Sequence, residues 1–549
     1  MTDTGRVRAP REPDFRARWA ALAAAGGGLV GVLAFPRFGF WPAAFVSVAL
    51  LSVAVSGRRS RTGAWLGYLY GVAFLLPLVH WTGVYVGPVP WVILCVGFAA
   101  FFAVLGAVLP VLERLPVPAV WAGAAWVLEE FLRDRIPFGG FPWGRLAFSQ
   151  AESPVRWFAA LGGAPLVTFL VAVGGAGLAL AVLRFPSGPA RIRGRETGRG
   201  RGEATRGVAA GIALALAVPL FGLLLGWPLD PGDGGPQQTI AVIQGGLPNV
   251  GLQYEDRAQQ VLDNHVRQTV RLAAEVRAGT VPRPSLVLWP EDSSDVDPFH
   301  NRLAFAKIER AVHAVGVPVL VGAILDGPGP THRRNVGILW SPTTGPGAQY
   351  AKRHPVPFGE YVPLRGLAEW ISSDAKTVTR DMVGGHGNGL LRGGPVPIGD
   401  VICFEVAYDH LVRSSVAAGA QLLVVQTNNA TFGHTAETYQ QLAMSQFRAV
   451  ETGRTVVQAA TTGLSAIIGP DGSVRARSGQ LYSSAILVES VPVRTGETLA
   501  VRLGAWPEYL LTLVALAGLV LVIVLDRRGR RTEPPAPAPE QPAEEMVST

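Results

Sequence analysis

Cys403 closes the apolar run Val396-Pro-Ile-Gly-Asp-Val-Ile-Cys403, and Phe404-Glu405 follow it. The other cysteine, Cys95, lies inside a long apolar segment, so Cys403 has no evident disulfide partner. Upstream, a carboxylate follows the run Leu286-Val-Leu-Trp-Pro-Glu291, and a lysine stands in Tyr350-Ala-Lys352-Arg-His354. Arginine carries nearly all the positive charge, and the lysines are Lys307, Lys352 and Lys376. A thiol, an acid and a lysine, each closing a strand-like run, are the parts needed for thiol-based acyl chemistry. The nucleophile must be a thiolate or have a base at hand. Glu291 suits that base, because desolvation raises a carboxyl pKa toward the working pH. Lys352 suits a compact charge for the thiolate and for the oxyanion of a tetrahedral intermediate. If the chain turns from strand to helix at Cys403, the next backbone N–H is a second oxyanion donor. Taken singly, each residue has a bland reading: a core thiol, a loop carboxylate, a solvated lysine. The three together favour catalysis.

The elements that must position them read as α/β. Strand-like runs are Thr239–Gln244, Ser285–Pro290, Val317–Ile324, Asn335–Trp340, Val396–Cys403, Gln421–Gln426, Thr455–Ala460 and Ser465–Gly469. Helical spacing marks Tyr254–Arg277, where Leu262, Val266, Val270 and Ala273 recur, and also Asn301–Val315, Tyr408–Ala418 and His434–Thr452. These runs fill one block from about Pro231 to Thr498, long enough for an independent core.

The rest of the 549 residues is of another kind. Only 16% of the chain is charged, against roughly 25% in soluble proteins. The net charge of +8 comes from arginines clustered between apolar runs, which is membrane topology and not a nucleic-acid surface. Segments of about 20 apolar residues can cross a bilayer. Candidates are Trp19–Phe35, Trp41–Val55, Gly63–Val84, Val89–Leu112, Val117–Phe131, Val155–Leu183, Val208–Trp227 and Trp506–Leu525, the second and fifth being short. The polar, basic start leads into a retained first span, not a cleaved signal. Arginines at 58, 59 and 61, through the segment Arg184–Arg206, and at 527, 528, 530 and 531 place those loops and both termini in the cytoplasm. The α/β block then lies outside. The expected division is a membrane domain of about seven spans at 1–230, a catalytic domain at 231–500 and a C-terminal transmembrane helix at 501–526. The remainder, 527–549, is a basic, then Pro/Ala/Glu-rich, disordered cytoplasmic tail.

Three segments carry a resemblance. Leu288-Trp-Pro-Glu291, Ala351-Lys352-Arg-His-Pro-Val-Pro-Phe-Gly-Glu360-Tyr-Val-Pro363 and Ile402-Cys403-Phe-Glu405 resemble the signatures of the nitrilase (carbon-nitrogen hydrolase) superfamily. The wording of the lysine segment and the flanking spans are similar to the apolipoprotein N-acyltransferase family. Val242-Ile-Gln-Gly245, Asn335, Thr427-Asn-Asn-Ala-Thr-Phe-Gly433, Arg448–Arg454 and Gly140-Phe-Pro-Trp143 match as well. The resemblance implies an α-helical transmembrane bundle of about eight spans with an extracytoplasmic αββα sandwich. It implies Glu291 as general base, Lys352 as transition-state stabiliser and Cys403 as acyl-accepting nucleophile. Glu360 supports the lysine, Phe404 and Glu405 shape the pocket beside the thiol, and Asn335 and Tyr254 are supporting residues. Where the family often has tryptophan, this chain has Tyr254 and Thr431, which leaves substrate gating open. The implied reaction moves an acyl chain from a phospholipid, through a cysteine thioester, to the α-amine of a diacylglyceryl apolipoprotein in the cell membrane. It implies a monomer with no cofactor, metal or nucleic acid. The competing classes are a membrane-anchored nitrilase-type amidase and a non-catalytic lipid-binding or transport protein. Leu364, Leu367, Trp370 and Ile371 either line the lipid entrance or belong to the sandwich core. Cys95 reads as packed, His80-Trp81 as a membrane-interface pair, and His434 as a helix-start residue.

Overall fold

The computed structural model describes residues 15–185, 201–247, 254–371, 375–376 and 378–532. The arginine-rich stretch at 186–200, the final tail at 533–549 and the Tyr254 side chain lie outside the described part.

Helices stand at all eight apolar segments: α1 (Phe15–Leu33), α2 (Ala43–Val55), α3 (Ser60–Leu78), then a short α4 (Trp81–Val86), α5 (Pro88–Leu112), α6 (Pro118–Arg133), α7 (Ala159–Arg184), α8 (Arg201–Leu229) and, at the far end of the chain, a helix over Trp506–Thr532. The third segment does not run unbroken to Val84, because the helix ends at Leu78 and restarts at Trp81. Among the described residues, four stretches are long and apolar enough to cross a membrane: Pro88–Leu112, Pro154–Arg184, Thr205–Leu229 and Trp506–Arg528. Small residues let these helices pack closely. A Cβ on Gly67 of α3 would stand 2.1 Å from the Phe102 carbonyl of α5, and one on Gly106 would stand 2.2 Å from the Gly63 carbonyl. Large apolar side chains such as Leu216, Leu220, Phe221, Leu513 and Leu516 point outward, as lipid-facing positions do.

The α/β block is a two-sheet sandwich. One sheet runs in the order β13-β1-β2-β3-β4-β5, from β1 (Gln237–Gln244), β2 (Leu286–Leu288), β3 (Val319–Asp326), β4 (His332–Ser341), β5 (Gly345–Ala351) and β13 (Ala485–Pro492), with the two-residue β6 (Asp381–Met382) beside β4. The other runs β12-β11-β10-β9-β8-β7, from β7 (Leu390–Leu391), β8 (Ile398–Ile402), β9 (Leu422–Thr427), β10 (Val456–Ala460), β11 (Ala466–Ile468) and β12 (Val474–Arg477). Ile240, Val242, Leu288 and Leu320 of the first meet Ile398, Ile402, Val424 and Val457 of the second, and this apolar layer joins the sheets. Helices α9 (Tyr254–Arg277) and α10 (Arg302–Val315) cover the outer face of the first sheet. Asn301 caps α10 through its side-chain oxygen, which accepts from the backbone N–H of Leu303 and Ala304.

Past the short α11 (Arg365–Ile371), helices α12 (Asp409–Ala417) and α13 (Glu437–Thr452) cover the second sheet. Their outer faces are not left to water. One continuous buried cluster joins Val425, Phe447 and Val450 to Phe148, Trp143, Val171 and Phe74 of the helical bundle. The αββα sandwich is therefore docked on the bundle through one of its own helical layers. A five-residue helix, α14 (Leu499–Leu503), leads back to α15 (Trp506–Thr532). Leu364, Leu367 and Trp370 are 66%, 53% and 83% exposed, so they are not part of the sandwich core.

Candidate active site

Each chemical group stands where a strand stops. Glu291 follows β2 by three residues, Lys352 immediately follows β5, and Cys403 immediately follows β8. Antiparallel pairing of Val336 with Ala351 sets Asn335 beside Lys352, and the Lys352 N–H donates to the Asn335 carbonyl at 2.9 Å. Parallel pairing of Ile402 with Gln426 sets Cys403 beside Thr427. Carboxyl ends of sheet strands are the usual place for an α/β site.

The backbone bends sharply at the sulfur. Cys403 has φ of 55°, in the left-handed region that costs a side-chain-bearing residue energy, and a 3₁₀ turn over Cys403–Ala407 begins there. This elbow lifts the thiol out of the strand line. Thr427 Oγ1 lies 3.3 Å and Gln441 Nε2 3.7 Å from Sγ. Asp292, next to Glu291, is a second left-handed residue at the same site, with φ of 54°.

The acids and the lysine form one buried cluster. Lys352 Nζ donates to Glu291 Oε1 at 3.0 Å and to Glu360 Oε1 at 2.7 Å. Asn335 Nδ2 donates to Glu291 Oε1 at 2.7 Å and to Glu360 Oε1 at 3.4 Å. The remaining oxygen of Glu291 accepts from the Asn428 N–H at 2.8 Å, and that of Glu360 from the Val356 N–H at 2.7 Å. Burial pulls the Lys352 pKa down, but Glu291 and Glu360 outweigh it and hold the ammonium well above the ordinary lysine range. The thiol goes the other way. Burial and the Glu291 charge push Cys403 well above the ordinary thiol range, although Lys352 opposes them. The site at rest thus holds a neutral thiol beside a charged lysine, not a preformed thiolate–lysine pair.

Glu405 joins the elbow to the lysine. Its buried carboxylate accepts from the Ile402 N–H at 2.9 Å, the Arg353 N–H at 2.7 Å, the His354 N–H at 3.2 Å and the Tyr350 hydroxyl at 2.9 Å. It therefore ties the residues flanking Lys352 to the residue before Cys403. Phe404 stacks on Trp143 at 5.5 Å and on Phe141 at 5.9 Å, so its ring faces the helical bundle. The loop around Gly140 also receives the Tyr408 hydroxyl at 3.1 Å. Trp81 Nε1 donates to Gln440 of α13 at 3.2 Å, so this span-end residue meets the sandwich.

The sequence reading singles out Glu291, Lys352, Glu360, Asn335 and Cys403, and the structure gathers all five. It does not single out Thr427, Gln441, Asn428 or Glu437, which complete the surroundings of the sulfur. Thr427 and Asn428 open the Thr427–Gly433 loop noted in the sequence, but nothing there fixes which side chains turn inward. Gln441 and Glu437 lie on one face of α13, four residues apart, a spacing with no chemical signature of its own.

Two family models divide the chain. Residues 27–177 match the apolipoprotein N-acyltransferase N-terminal domain, and residues 241–498 match carbon-nitrogen hydrolase. An apolipoprotein N-acyltransferase of Mycolicibacterium smegmatis is 38% identical over 526 residues, covering 93% of this chain and 86% of that one. One from Azotobacter vinelandii is 28% identical, covering 94% of this chain and 97% of that one. Among solved structures, a mutant of the Nesterenkonia amidase from the nitrilase superfamily aligns at 20% identity with a TM-score of 0.37, over 49% of this chain and 94% of that one. The extent of the match to the mycolicibacterial relative, through both the helical part and the sandwich, makes the chain a member of the apolipoprotein N-acyltransferase family.

Proposed function

We propose that the chain transfers a fatty acyl group from a membrane phospholipid, through a thioester on Cys403, to the α-amine of a diacylglyceryl-cysteine at an apolipoprotein N-terminus. The observation that carries this reading is the buried Glu291–Lys352–Glu360 cluster beside an elbow-borne thiol, in a sandwich docked on apolar helices. The sandwich lies outside the cytoplasmic membrane, with both termini inside, as the arginine clusters favour.

In the first half, Glu291 takes the Cys403 proton as sulfur attacks the ester carbonyl carbon. The oxyanion is met by the Lys352 ammonium and the N–H of Phe404. Collapse breaks the carbon–oxygen bond. Glu291 returns the proton to the departing lysophospholipid oxygen, leaving the thioester. In the second half, a neutral amine attacks the same carbon, and Glu291 takes a proton from nitrogen. The carbon–sulfur bond breaks, and Glu291 hands that proton to sulfur. Glu360 and Asn335 hold Lys352 and Glu291 throughout. Both substrates stay in the bilayer, so no acyl chain is exposed to water at about 0.8 kcal/mol per CH₂.

The test is intact-mass spectrometry of the full chain in phospholipid vesicles. An acyl adduct on Cys403 that moves to the amine of an added diacylated lipopeptide is the expected result. An adduct lost to water at a rate indifferent to the peptide assigns an amidase-type hydrolase instead. An absent adduct defeats the reading.

A further inference from the structure

A second carboxylate borders the sulfur, and the steps above do not use it. Glu437, the first residue of α13, is 2% exposed. Its Oε2 accepts from Asn429 Nδ2 at 2.8 Å. Asn429 Nδ2 also reaches Thr427 Oγ1 at 3.3 Å and Gln441 Oε1 at 2.9 Å. Those two side chains are the ones in hydrogen-bond range of the sulfur. Glu437 and Gln441 are four residues apart and share a helix face, so the carboxylate lies on the wall that Gln441 turns to Cys403.

A carboxylate in the first turn of a helix is commonly structural, because the N-terminal backbone N–H groups favour negative charge. That use does not require burial beside a nucleophile, where the Glu437 charge opposes formation of the thiolate. The proton count supplies a reason for the position. An α-amine enters near neutral pH largely as an ammonium. Forming an amide from it removes two protons from nitrogen. Glu291 passes one to the departing sulfur. The other must leave before attack, to a base other than Glu291, which has to be free for the second proton.

We propose that Glu437 binds the acceptor's α-ammonium beside the thioester and accepts the proton it must lose before attack. The inference rests on the acyl transfer proposed above. The step is a proton transfer from ammonium nitrogen to the Glu437 carboxylate, followed by release of that proton to solvent as product leaves. Burial raises this carboxyl to about 8, while Asn429 opposes the rise and the Glu291 charge adds to it. The bound ammonium, as an opposite charge beside it, favours the ionised carboxylate, and transfer from an α-ammonium of about 7.7–8.0 to that carboxylate is close to balanced. The titratable groups facing it are Cys403 at the elbow and Glu291 after β2; Thr427, Asn429 and Gln441 carry no charge.

The half-reactions separate the possibilities in full-length protein in phospholipid vesicles. Wild type must first show the Cys403 acyl adduct; its absence sinks the parent reading and this one with it. In Glu437→Gln the adduct is expected to accumulate, while transfer to a diacylated lipopeptide slows at least tenfold at pH 7. The deficit should narrow by pH 9, where the peptide amine is already neutral. Transfer at the wild-type rate overturns the inference alone. Equal slowing of both halves overturns it too, by assigning Glu437 to holding the loop. A wild-type measurement guards against a misfolded variant. A lipopeptide with an N,N-dimethylated, cationic terminus should compete with the acceptor at least tenfold better than its N-acetylated, neutral counterpart. Equal competition overturns the inference.

Discussion

Lys352 beside Cys403 and Glu405 behind the elbow can be removed separately. Lys352→Met leaves Glu291 and Glu360 sharing Asn335 with no cation between them. Loss of one oxyanion-stabilising group costs about 10²–10³ in rate, so formation of the Cys403 adduct in single turnover should fall by at least that factor. A fall of less than tenfold would remove Lys352 from the transition state. Glu405 acts at one remove, as a positioning residue. Glu405→Gln halves the acceptor capacity facing four donors, each worth about 1–3 kcal/mol if stranded. Lower thermal stability is expected together with slower acylation, because the strand end that carries Lys352 loses its tie to the elbow. Unchanged acylation in a destabilised variant would confine Glu405 to the core. The thiol and the acid are legible in sequence because each closes an apolar run, and the lysine because it is one of three in an arginine-rich chain. The tie through Glu405 is not, because the direction of a side chain after a left-handed elbow depends on φ at Cys403. The resting state of the sulfur is not legible either, since burial and Glu291 outweigh the lysine only in the assembled pocket.

At the scale of elements, the strands that alternate or run apolar are readable, and the half-exposed ones are not. All eight strand-like runs contain a strand. β5, Gly345–Ala351, is missed because it is an edge strand with only Tyr350 buried, so it has no apolar period to detect. That edge nevertheless delivers Lys352. The helix α9 is legible from its spacing, but one of its polar residues has a role only the packing reveals. His265 is fully buried, with Nε2 accepting from the Gly245 N–H at 3.2 Å and Nδ1 at 2.8 Å from the Val261 carbonyl. Both ring nitrogens are satisfied in the neutral form, and a second ring proton would face an N–H. Burial pulls its pKa down to about 4, only partly offset by the Val261 carbonyl. The unfolded chain takes up this proton near pH 6.5 and the folded one does not until about 4. The contribution of neutral His265 is therefore complete above pH 6.5 and shrinks as pH falls through that window, by about 1.4 kcal/mol per pH unit at most. Thermal unfolding should show this acid slope, and His265→Gln should flatten it by about one proton. An unchanged slope in the variant would place the acid sensitivity elsewhere.

The whole molecule depends on a junction that no local pattern announces. Arginine clusters and apolar runs disclose a bundle, and alternation discloses a sandwich, but neither indicates which face of one meets the other. The answer lies in buried charge. Arg145, before the turn that leads to α7, pairs with Asp409 of α12 at 2.9 Å, and Arg448 of α13 reaches the same carboxylate at 2.8 Å. Arg448 also pairs with Glu451 at 2.5 Å and donates to the Val406 and Ala407 carbonyls just past the elbow. One aspartate thus links the bundle to the turn after Cys403, beside the stacking of Phe404 on Trp143. Burial would raise the Asp409 carboxyl, but Arg145, Arg448 and Arg413 overcome it and hold the pKa far below the ordinary carboxylate range. With the folded value depressed, its contribution is present above the unfolded pKa of about 3.9 and is lost only as pH falls through the folded one. The junction should therefore stay charged across the window in which His265 titrates. Asp409→Asn removes the charge but keeps the shape, so Arg145, Arg448 and Arg413 lose the carboxylate they share and keep only Glu130, Asp134 and Glu451. Breaking a buried pair in this way costs about 3–5 kcal/mol. The expected outcome is a clear drop in the thermal midpoint in detergent at pH 7, with slower formation of the Cys403 adduct as the Val406–Ala407 turn loosens. Because the lost term does not titrate between pH 5 and 8, the drop should be the same at both ends of that range. A drop confined to acid pH, or none, would mean that apolar contacts such as Phe404 on Trp143 hold the two halves together without the ions.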